Sequence, residues 1–210
     1  MKARPALIVV AAGRGERFLG ATHKLSQPLG GATVLGTTLR HAIASQLPVV
    51  VVTTEALADI ARRSVAARDV VVLPDAKSAA GSVGAARPGM GHSIASGVGA
   101  RANAAGWLIL PGDMPLVQPS TLVAVADALE HHAVVCAHHK GRRGHPVGFS
   151  AELYSELVAL SGDEGARRLV ARYPALGLEL DDPGVLVDVD TEADLARVRQ
   201  VLGEAPLPIG

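Results

Sequence analysis

Short apolar runs recur along this sequence and constrain its fold more than any other feature. Each run is long enough for a strand but too short for a buried helix, and polar residues do not alternate within it. Such runs are typical of strands that helices cover on both faces, as in a parallel sheet. The predicted strands are Ala6–Val10, Val49–Thr53, Val70–Leu73, Trp107–Leu110 and Ala133–Ala137.

Segments with helical spacing lie between these runs. Ala32–Gln46 and Pro119–Glu130 each place apolar residues on one stripe, with Leu35 and Ile43 among those of the first. Strands that alternate with helices predict right-handed crossovers and a mostly parallel sheet, so the expected fold class is α/β. Because 210 residues fit one hydrophobic core, we expect a single domain over residues 1–203 and a short tail over residues 204–210.

Composition excludes several functional classes. Lys plus Arg and Asp plus Glu both number 20, and only 2% of residues are aromatic, so no nucleic-acid partner is expected. Cys136 is the only cysteine, which excludes an internal disulfide and favours a reducing compartment. The apolar run Ala6–Ala12 is too short for a signal-peptide core or a membrane span. We therefore predict a cytoplasmic protein with no membrane partner.

A glycine-rich loop follows the first predicted strand in "AAGRGERFLGATHKL". It does not complete the dinucleotide-binding pattern GxGxxG, because Phe18 stands at the third glycine position, and the chain contains no Walker A motif. Arg14, Arg17 and Lys24 lie close together in sequence, and bringing these like charges into one pocket is favourable mainly when a polyanion such as a triphosphate fills it. An exposed loop whose basic side chains point apart is the alternative.

Carboxylates follow two further apolar runs. Asp113 ends the run in "LILPGDMPLV", where Mg²⁺ and phosphate oxygens are natural partners for a carboxylate at the ligand edge of a sheet. A turn or helix-capping aspartate is the alternative. Asp188 and Asp190 lie in "VLVDVDTEADLARV", which we interpret as a strand followed by a helix. Capping explains one of these two residues, and we slightly favour Asp190 over Asp188 as a second metal ligand.

Other segments are weaker candidates. Lys77–Gly91 is rich in Gly, Ala and Ser and predicts a long functional loop. Arg142 and Arg143 precede "GHP" and suit an anionic acceptor, although an exposed basic turn has the same pattern. The remaining histidine pairs do not have the spacing of a zinc site, because we place them at the end of a helix and after a strand; they are His131, His132, His138 and His139.

Together these blocks resemble a known family. In order they are "VAAGRGERFLGATHKL", "GMGHSIASGV", "LPGDMPLV", "RGHPVGFS", "SGDEGARRLV" and "VDVDTEADL", spread over Pro5–Leu202. They resemble the nucleotidyltransferases of the molybdenum cofactor, most of all the molybdopterin cytidylyltransferase branch. The resemblance implies a Rossmann-like, three-layer domain that uses Mg²⁺ to transfer CMP from CTP, or another nucleotide, to the phosphate of molybdopterin with release of pyrophosphate. A molybdoenzyme or its chaperone is an implied protein partner.

The resemblance also implies site residues. Lys24, Asp113 and Arg17 would be catalytic, and Asp113 and Asp190 would hold the metal. Nucleotide-binding residues would be Ala11, Ala12, Gly13, Arg14, Gly15, Lys24, Gly81 and Gly112. Acceptor-binding residues would be His92, Ser93, Arg143, His145 and Asp163.

This chain departs from the usual pattern of the family at three positions. Phe18 stands where the family usually has a small residue and Met, and an additional Leu19 follows it, so the base-binding loop differs from that of the family. Ala12 stands where guanylyl-transferring relatives carry a second glycine, which favours CTP or ATP over GTP.

Three other hypotheses stay open at this point. Another phosphorylated acceptor, such as a methylerythritol phosphate or a sugar phosphate, would suit the same loop and strand-end aspartate. A non-catalytic, cofactor-binding chaperone is a second, although Lys24 and Asp113 argue against an inactive protein. A nicotinamide-dependent oxidoreductase is disfavoured because the third glycine of its loop is missing.

Overall fold

The computed structural model of the protein describes residues 3–13, 15, 18, 22–74 and 89–204. Its strands are β1 (Ala6–Ala11), β2 (Pro28–Leu29), β3 (Ala32–Thr33), β4 (Val49–Thr54), β5 (Val70–Leu73), β6 (Gly106–Pro111), β7 (Val134–His139), β8 (Arg142–Ser150) and β9 (Ala175–Glu179). Its α-helices are α1 (Val34–Ala44), α2 (Glu55–Arg62), α3 (Met90–Gly99), α4 (Pro119–Ala128), α5 (Tyr154–Val158), α6 (Arg167–Arg172) and α7 (Glu192–Val201). Short 3-10 helices include Lys24–Ser26 and Pro183–Leu186.

Seven strands form one sheet in the order β5-β4-β1-β6-β8-β7-β9. β1 pairs in parallel with both β4 and β6, so that Ile8 lies between Val50 and Ile109. β8 alone runs against its neighbours β6 and β7, and β9 is parallel to β7. The carboxyl ends of β1 and β6 therefore meet the amino end of β8 at one edge of the sheet.

Successive residues of the central strands pack into two separate cores. Leu7 and Val9 of β1 face the core that α1, α2, α4 and α7 cover, whereas Ile8 faces the core under α3, α5 and α6. All three side chains are fully buried, as a strand between two helical layers requires. The α/β, three-layer fold with a mostly parallel sheet is thus confirmed.

The five predicted strands are all present, and the two predicted helices are shorter at their ends. Ala32 and Thr33 pair with Pro28 and Leu29 in a small hairpin, so α1 begins only at Val34. The predicted stripe of α1 is wrong at Ile43, which is 42% exposed. Cys136 is buried within β7.

Two interpretations at strand ends are wrong. Residues 187–190 belong to no strand; they follow the 3-10 helix that Pro183 begins, and the Val189 N–H donates to the Asp113 carbonyl at 2.9 Å. His138 and His139 lie within β7 and not after it, because β8 pairs back onto them through a turn at Lys140 and Gly141.

The long loop after β5 ends earlier than predicted. Residues 75–88 lie outside the described residues, and Met90 and Gly91 already belong to α3. Among the described residues, no helix has the length and apolar character to cross a membrane.

A buried carboxylate connects α4 to the segment that follows β9. Asp182 is 2% exposed and accepts hydrogen bonds from the Gln118 N–H (2.9 Å), the Thr121 hydroxyl (2.6 Å) and the Gly184 N–H (2.9 Å). These bonds fix the start of the 3-10 helix Pro183–Leu186 against the body of the domain. The chain then runs directly to Asp188 and Asp190.

Candidate active site

A cleft of about 1010 Å³ opens at the edge of the sheet where β1 and β6 end and β8 begins. Open α/β sheets bind ligands at this edge. The cleft is lined by the loop after β1, the turn around Lys24, the start of α3, the residues that follow β6, the start of β8 and residues 185–190. Segments far apart in sequence therefore share one cavity.

The Lys24 ammonium lies between two carboxylates in this cleft. Its Nζ atom is 2.6 Å from Asp113 Oδ2 and 2.6 Å from Asp190 Oδ1. The three side chains are largely withdrawn from solvent, with exposed fractions of 10% for Lys24, 17% for Asp113 and 16% for Asp190. We call this arrangement the Asp113–Lys24–Asp190 cluster.

His23 fixes the backbone that presents Lys24. Its Nδ1 atom accepts a hydrogen bond from the Leu25 N–H at 3.1 Å, so Nε2 carries the ring hydrogen and donates to the Gly13 carbonyl at 3.0 Å. The imidazole thus joins the glycine loop after β1 to the 3-10 helix that begins at Lys24. Leu25, which is buried, anchors the same turn in the core.

The electrostatics of the cluster keep Lys24 charged. Burial alone would lower the pKa of Lys24, but the charge of Asp113 and the hydrogen bonds to Asp113 and Asp190 outweigh it, and the pKa lies above its ordinary value. Partial burial, together with the neighbouring charge of Asp190, raises the pKa of Asp188 above its ordinary value. Negative charge is therefore in excess here, which suits a cationic ligand.

The oxygen atoms of this cluster fit a hard divalent cation. Asp113 Oδ1 is buried and has no hydrogen-bond partner among the described residues, so one acceptor remains for a ligand. Carboxylate oxygens are the ligands that Mg²⁺ prefers, and Mg²⁺ commonly takes one or two of them plus phosphate oxygens and water. No group of three acidic, histidine or cysteine side chains within the described residues is arranged to hold a metal. A metal held by Asp113 and Asp190 would leave its other coordination positions to phosphate oxygens and water.

The amino end of β8 supplies basic groups to the opposite wall. Arg142, Arg143 and His145 all line the cleft, because the antiparallel direction of β8 brings its first residues to the ligand edge. Both arginines are exposed. His145 Nδ1 is buried and lacks a hydrogen-bond partner among the same residues. This wall can receive an anion and a hydrogen-bonding group.

The start of α3 closes the third side. Gly89, Met90 and Ser93 line the cleft, and the Gly91 N–H donates to the Gly162 carbonyl at 2.8 Å. Residues 161–163 pack directly on this helix start, since a Cβ atom on Gly91 would lie 2.6 Å from the Ser161 carbonyl oxygen. The contact places Asp163 in the wall of the cleft.

The structure brings most of the expected site residues together but not all. Those that line the cleft are Ala11, Ala12, Gly13, Gly15, Lys24, Ser93, Asp113, Arg143, His145, Asp163 and Asp190. Gly112 is buried beside it, where its N–H donates to the Val10 carbonyl and its carbonyl accepts from the Thr38 hydroxyl. His92 is exposed on α3 and does not line the cleft. Arg14, Arg17 and Gly81 lie outside the described residues.

Three contributors had not been expected from the sequence. In the sequence, His23 is marked only by its position next to Lys24, and Asp182 only by its position before Pro183. Met90 had been placed in a loop, and its place on the cleft wall follows from the start of α3.

The buried imidazole of His145 predicts a pH effect on stability. Burial lowers the pKa of His145, and this outweighs the opposing charge of Asp113 and a hydrogen bond with the Ile109 backbone. The unfolded chain, with a histidine pKa of about 6.5, then binds more protons than the folded chain. The contribution of His145 to the free energy of unfolding should therefore be constant above that pH and should decrease as the pH falls below it.

Urea denaturation at a series of pH values checks this expectation. The wild type should lose more stability than His145→Gln as the pH falls below about 6.5. Equal pH dependence in the two proteins would show that the folded state does not hold the imidazole neutral.

Comparison with known proteins agrees with the fold. Residues 7–176 match the family described as the MobA-like NTP transferase domain. Purine catabolism protein PucB of Bacillus subtilis is 30% identical over 207 residues, which cover 93% of this chain and 96% of that protein. The crystal structure of Rv0371c from Mycobacterium tuberculosis has a TM-score of 0.77 and 28% identity, covering 94% of this chain and 98% of its own. Its complex with manganese has a TM-score of 0.74 and 30% identity over the same shares of the two chains.

Proposed function

This chain belongs to the MobA-like NTP transferase family, whose members transfer nucleotidyl groups, and we propose that it transfers CMP from CTP to the phosphate of molybdopterin. In this reaction an acceptor phosphate oxygen forms a bond to the α-phosphorus of the nucleotide. The bond between the α-phosphorus and the bridging oxygen of the β-phosphate breaks, and pyrophosphate leaves with the electron pair. No side-chain nucleophile is needed, so catalysis consists of positioning and charge stabilisation.

The Asp113–Lys24–Asp190 cluster is the observation that supports the proposal most strongly. It puts a charged ammonium and two carboxylates within 2.6 Å contacts in a cleft that the glycine loop Ala11–Gly13 also lines. A structural ion pair has no need of a second carboxylate or of an unpartnered buried oxygen on Asp113. Binding a metal and a polyphosphate accounts for both features.

Asp113 and Asp190 are the proposed ligands of Mg²⁺. When bound, the metal supplies positive charge to the phosphate oxygens that become more negative during transfer. The manganese complex of Rv0371c, a relative of similar fold, supports the use of a divalent metal. Asp188 also lines the cleft, but Asp190 is the residue that faces Asp113 across Lys24.

The loop after β1 is the proposed nucleotide site. Ala11, Ala12, Gly13 and Gly15 line the cleft with little side-chain bulk, which lets the phosphates approach the backbone. Lys24 lies next to this loop in the cleft. Lys24 and Arg17 together would stabilise the negative charge on the leaving pyrophosphate. Ala12 in place of a second glycine favours CTP or ATP over GTP.

The wall formed by β8 is the proposed acceptor site. Arg143 and Arg142 present positive charge and His145 an unpartnered nitrogen, while Ser93 and Asp163 add polar groups from the neighbouring wall. This chemistry suits a phosphorylated acceptor that also carries hydrogen-bonding ring atoms. The sequence blocks around Arg143 and Asp163 favour molybdopterin over other phosphorylated acceptors.

Pyrophosphate release tests the proposal. CTP, ATP and GTP are each supplied with Mg²⁺ and with molybdenum-bound molybdopterin, methylerythritol phosphate or a sugar phosphate. We expect release with CTP that depends on molybdopterin. Release that depends on another acceptor would replace molybdopterin in the proposal, and no release with any combination would contradict nucleotidyl transfer by this cleft.

A further inference from the structure

The metal ligands proposed above are already occupied by a side chain of the protein itself. Lys24 Nζ contacts Asp113 Oδ2 and Asp190 Oδ1, each at 2.6 Å. A divalent cation that used those two oxygen atoms would need the same space. The ammonium and the metal therefore cannot both occupy the position between Asp113 and Asp190.

Burial makes this contact hard to displace. Lys24 is 8% exposed as a whole residue, and charge-assisted hydrogen bonds away from water are stronger than ion pairs on a surface. The turn that carries Lys24 is also fixed, because His23 ties it to Gly13 and Leu25 is buried. Among the described residues, Asp113 and Asp190 are the acidic partners of this ammonium, and a free metal ion would have to expel it from both.

A polyphosphate can complete the coordination of the metal and also provide a new partner for the displaced ammonium. Its oxygens can complete the coordination of the metal, which the described side chains cannot do by themselves. The same phosphates offer negative charge to the displaced ammonium, and the glycine loop next to Lys24 leaves room for them. The metal and the polyphosphate thus each make the other easier to bind, as linkage requires.

We infer that Lys24 is an internal competitor of the metal: it occupies the cation position between Asp113 and Asp190, so that the cleft binds a divalent cation more tightly together with a polyphosphate than as the free ion. The inference rests on the proposed metal site. It assigns Lys24 a second role, before the reaction, in addition to stabilising the leaving group. In consequence the protein selects the metal–nucleotide complex as its substrate.

Binding of Mn²⁺ in the absence of any nucleotide is the test. Mn²⁺ is a suitable probe because the free ion is counted directly by electron paramagnetic resonance. Lys24→Met keeps most of the side-chain length but removes the ammonium. In Lys24→Met the metal no longer has to break the charge-assisted hydrogen bonds of the ammonium. Losing the cost of even one such bond should make Mn²⁺ bind at least about tenfold more tightly than in the wild type.

Two control variants locate the effect. Lys140→Met removes the same charge at the exposed turn between β7 and β8, and it should bind Mn²⁺ as the wild type does. Lys24→Met combined with Asp113→Asn removes a proposed ligand as well, and it should lose the gain. A gain that persists in the double variant would overturn the inference, because the metal would then be bound elsewhere.

Thermal unfolding measures the competition between Lys24 and the metal independently. Without metal, Lys24→Met leaves two carboxylates facing each other and should melt below the wild type in the presence of a chelator. Added Mn²⁺ should raise the melting temperature of Lys24→Met more than that of the wild type. An equal rise in both proteins would contradict the competition.

Failure of this inference is distinguishable from failure of the proposed function. Mn²⁺ affinity that is unchanged or weaker in Lys24→Met, including binding that is undetectable in both proteins, overturns the role of Lys24 as competitor. Pyrophosphate release by the wild type is measured separately and does not depend on that result.

Discussion

Asp113→Asn should lower kcat for pyrophosphate release by about three orders of magnitude, a loss typical of removing one group that stabilises transition-state charge. The proposed metal loses a carboxylate ligand, and the amide that replaces it carries no charge. The fold should persist, because Lys24 keeps its 2.6 Å contact with Asp190 and the cluster then has one carboxylate for one ammonium. Steady-state kinetics and thermal unfolding of the same preparation measure the two effects.

A matched control is available on α4. Asp127→Asn makes the same chemical change at an exposed position far from the cleft lining, and it should retain wild-type kcat. Wild-type activity in Asp113→Asn would remove Asp113 from the catalytic site. Loss of the folded state in that variant would instead show that the carboxylate is needed for folding.

Asp182→Ala should lower the free energy of unfolding by about 3 kcal/mol or more, because burying unsatisfied polar groups costs about 1 to 3 kcal/mol for each. The substitution leaves the Gln118 N–H, the Gly184 N–H and the Thr121 hydroxyl without their acceptor. It also frees the 3-10 helix Pro183–Leu186, from which the chain continues to Asp190. We expect kcat to fall as well, since the second carboxylate of the cluster is no longer held in place.

The neighbouring residue provides the comparison for this variant. Asp181 is exposed, and Asp181→Ala should unfold at the same urea concentration as the wild type. If Asp182→Ala were as stable as Asp181→Ala, the hydrogen bonds of Asp182 would not be anchoring this segment.

Sequence predicted the central strands because burial on both faces leaves a direct signature. The runs that contain Ile8, Val50 and Ile109 are apolar without alternation, and these residues lie side by side in the sheet. β8 has no such signature, since Gly144, Pro146 and Gly148 interrupt it. Its antiparallel direction, which brings Arg143 and His145 to the cleft, was therefore not predicted.

The segment before Asp190 shows the limit of apolar patterns. Val185, Leu186, Val187 and Val189 suggested a strand, but Pro183 starts a 3-10 helix and the segment packs without joining the sheet. Pattern alone does not distinguish an apolar strand from an apolar segment that is held by side-chain hydrogen bonds such as those of Asp182.

The cluster itself could be predicted only in part. A carboxylate at the end of a buried strand requires a positive partner, and this argument singled out Asp113. It did not reveal that Lys24 is such a partner in the folded chain, since the two residues are 89 positions apart and Lys24 is 166 positions from Asp190. Contacts over such separations depend on how the strands are ordered in the sheet.

The fate of the α-phosphorus tests the central claim most directly. The protein is incubated with Mg²⁺, molybdenum-bound molybdopterin and CTP that is labelled at the α-phosphate, and the products are separated after a single turnover. We predict that the label appears on the acceptor in amounts equal to the pyrophosphate released, and that Asp113→Asn abolishes both. Label that stays in CTP, or that appears only as free CMP, would contradict nucleotidyl transfer to this acceptor.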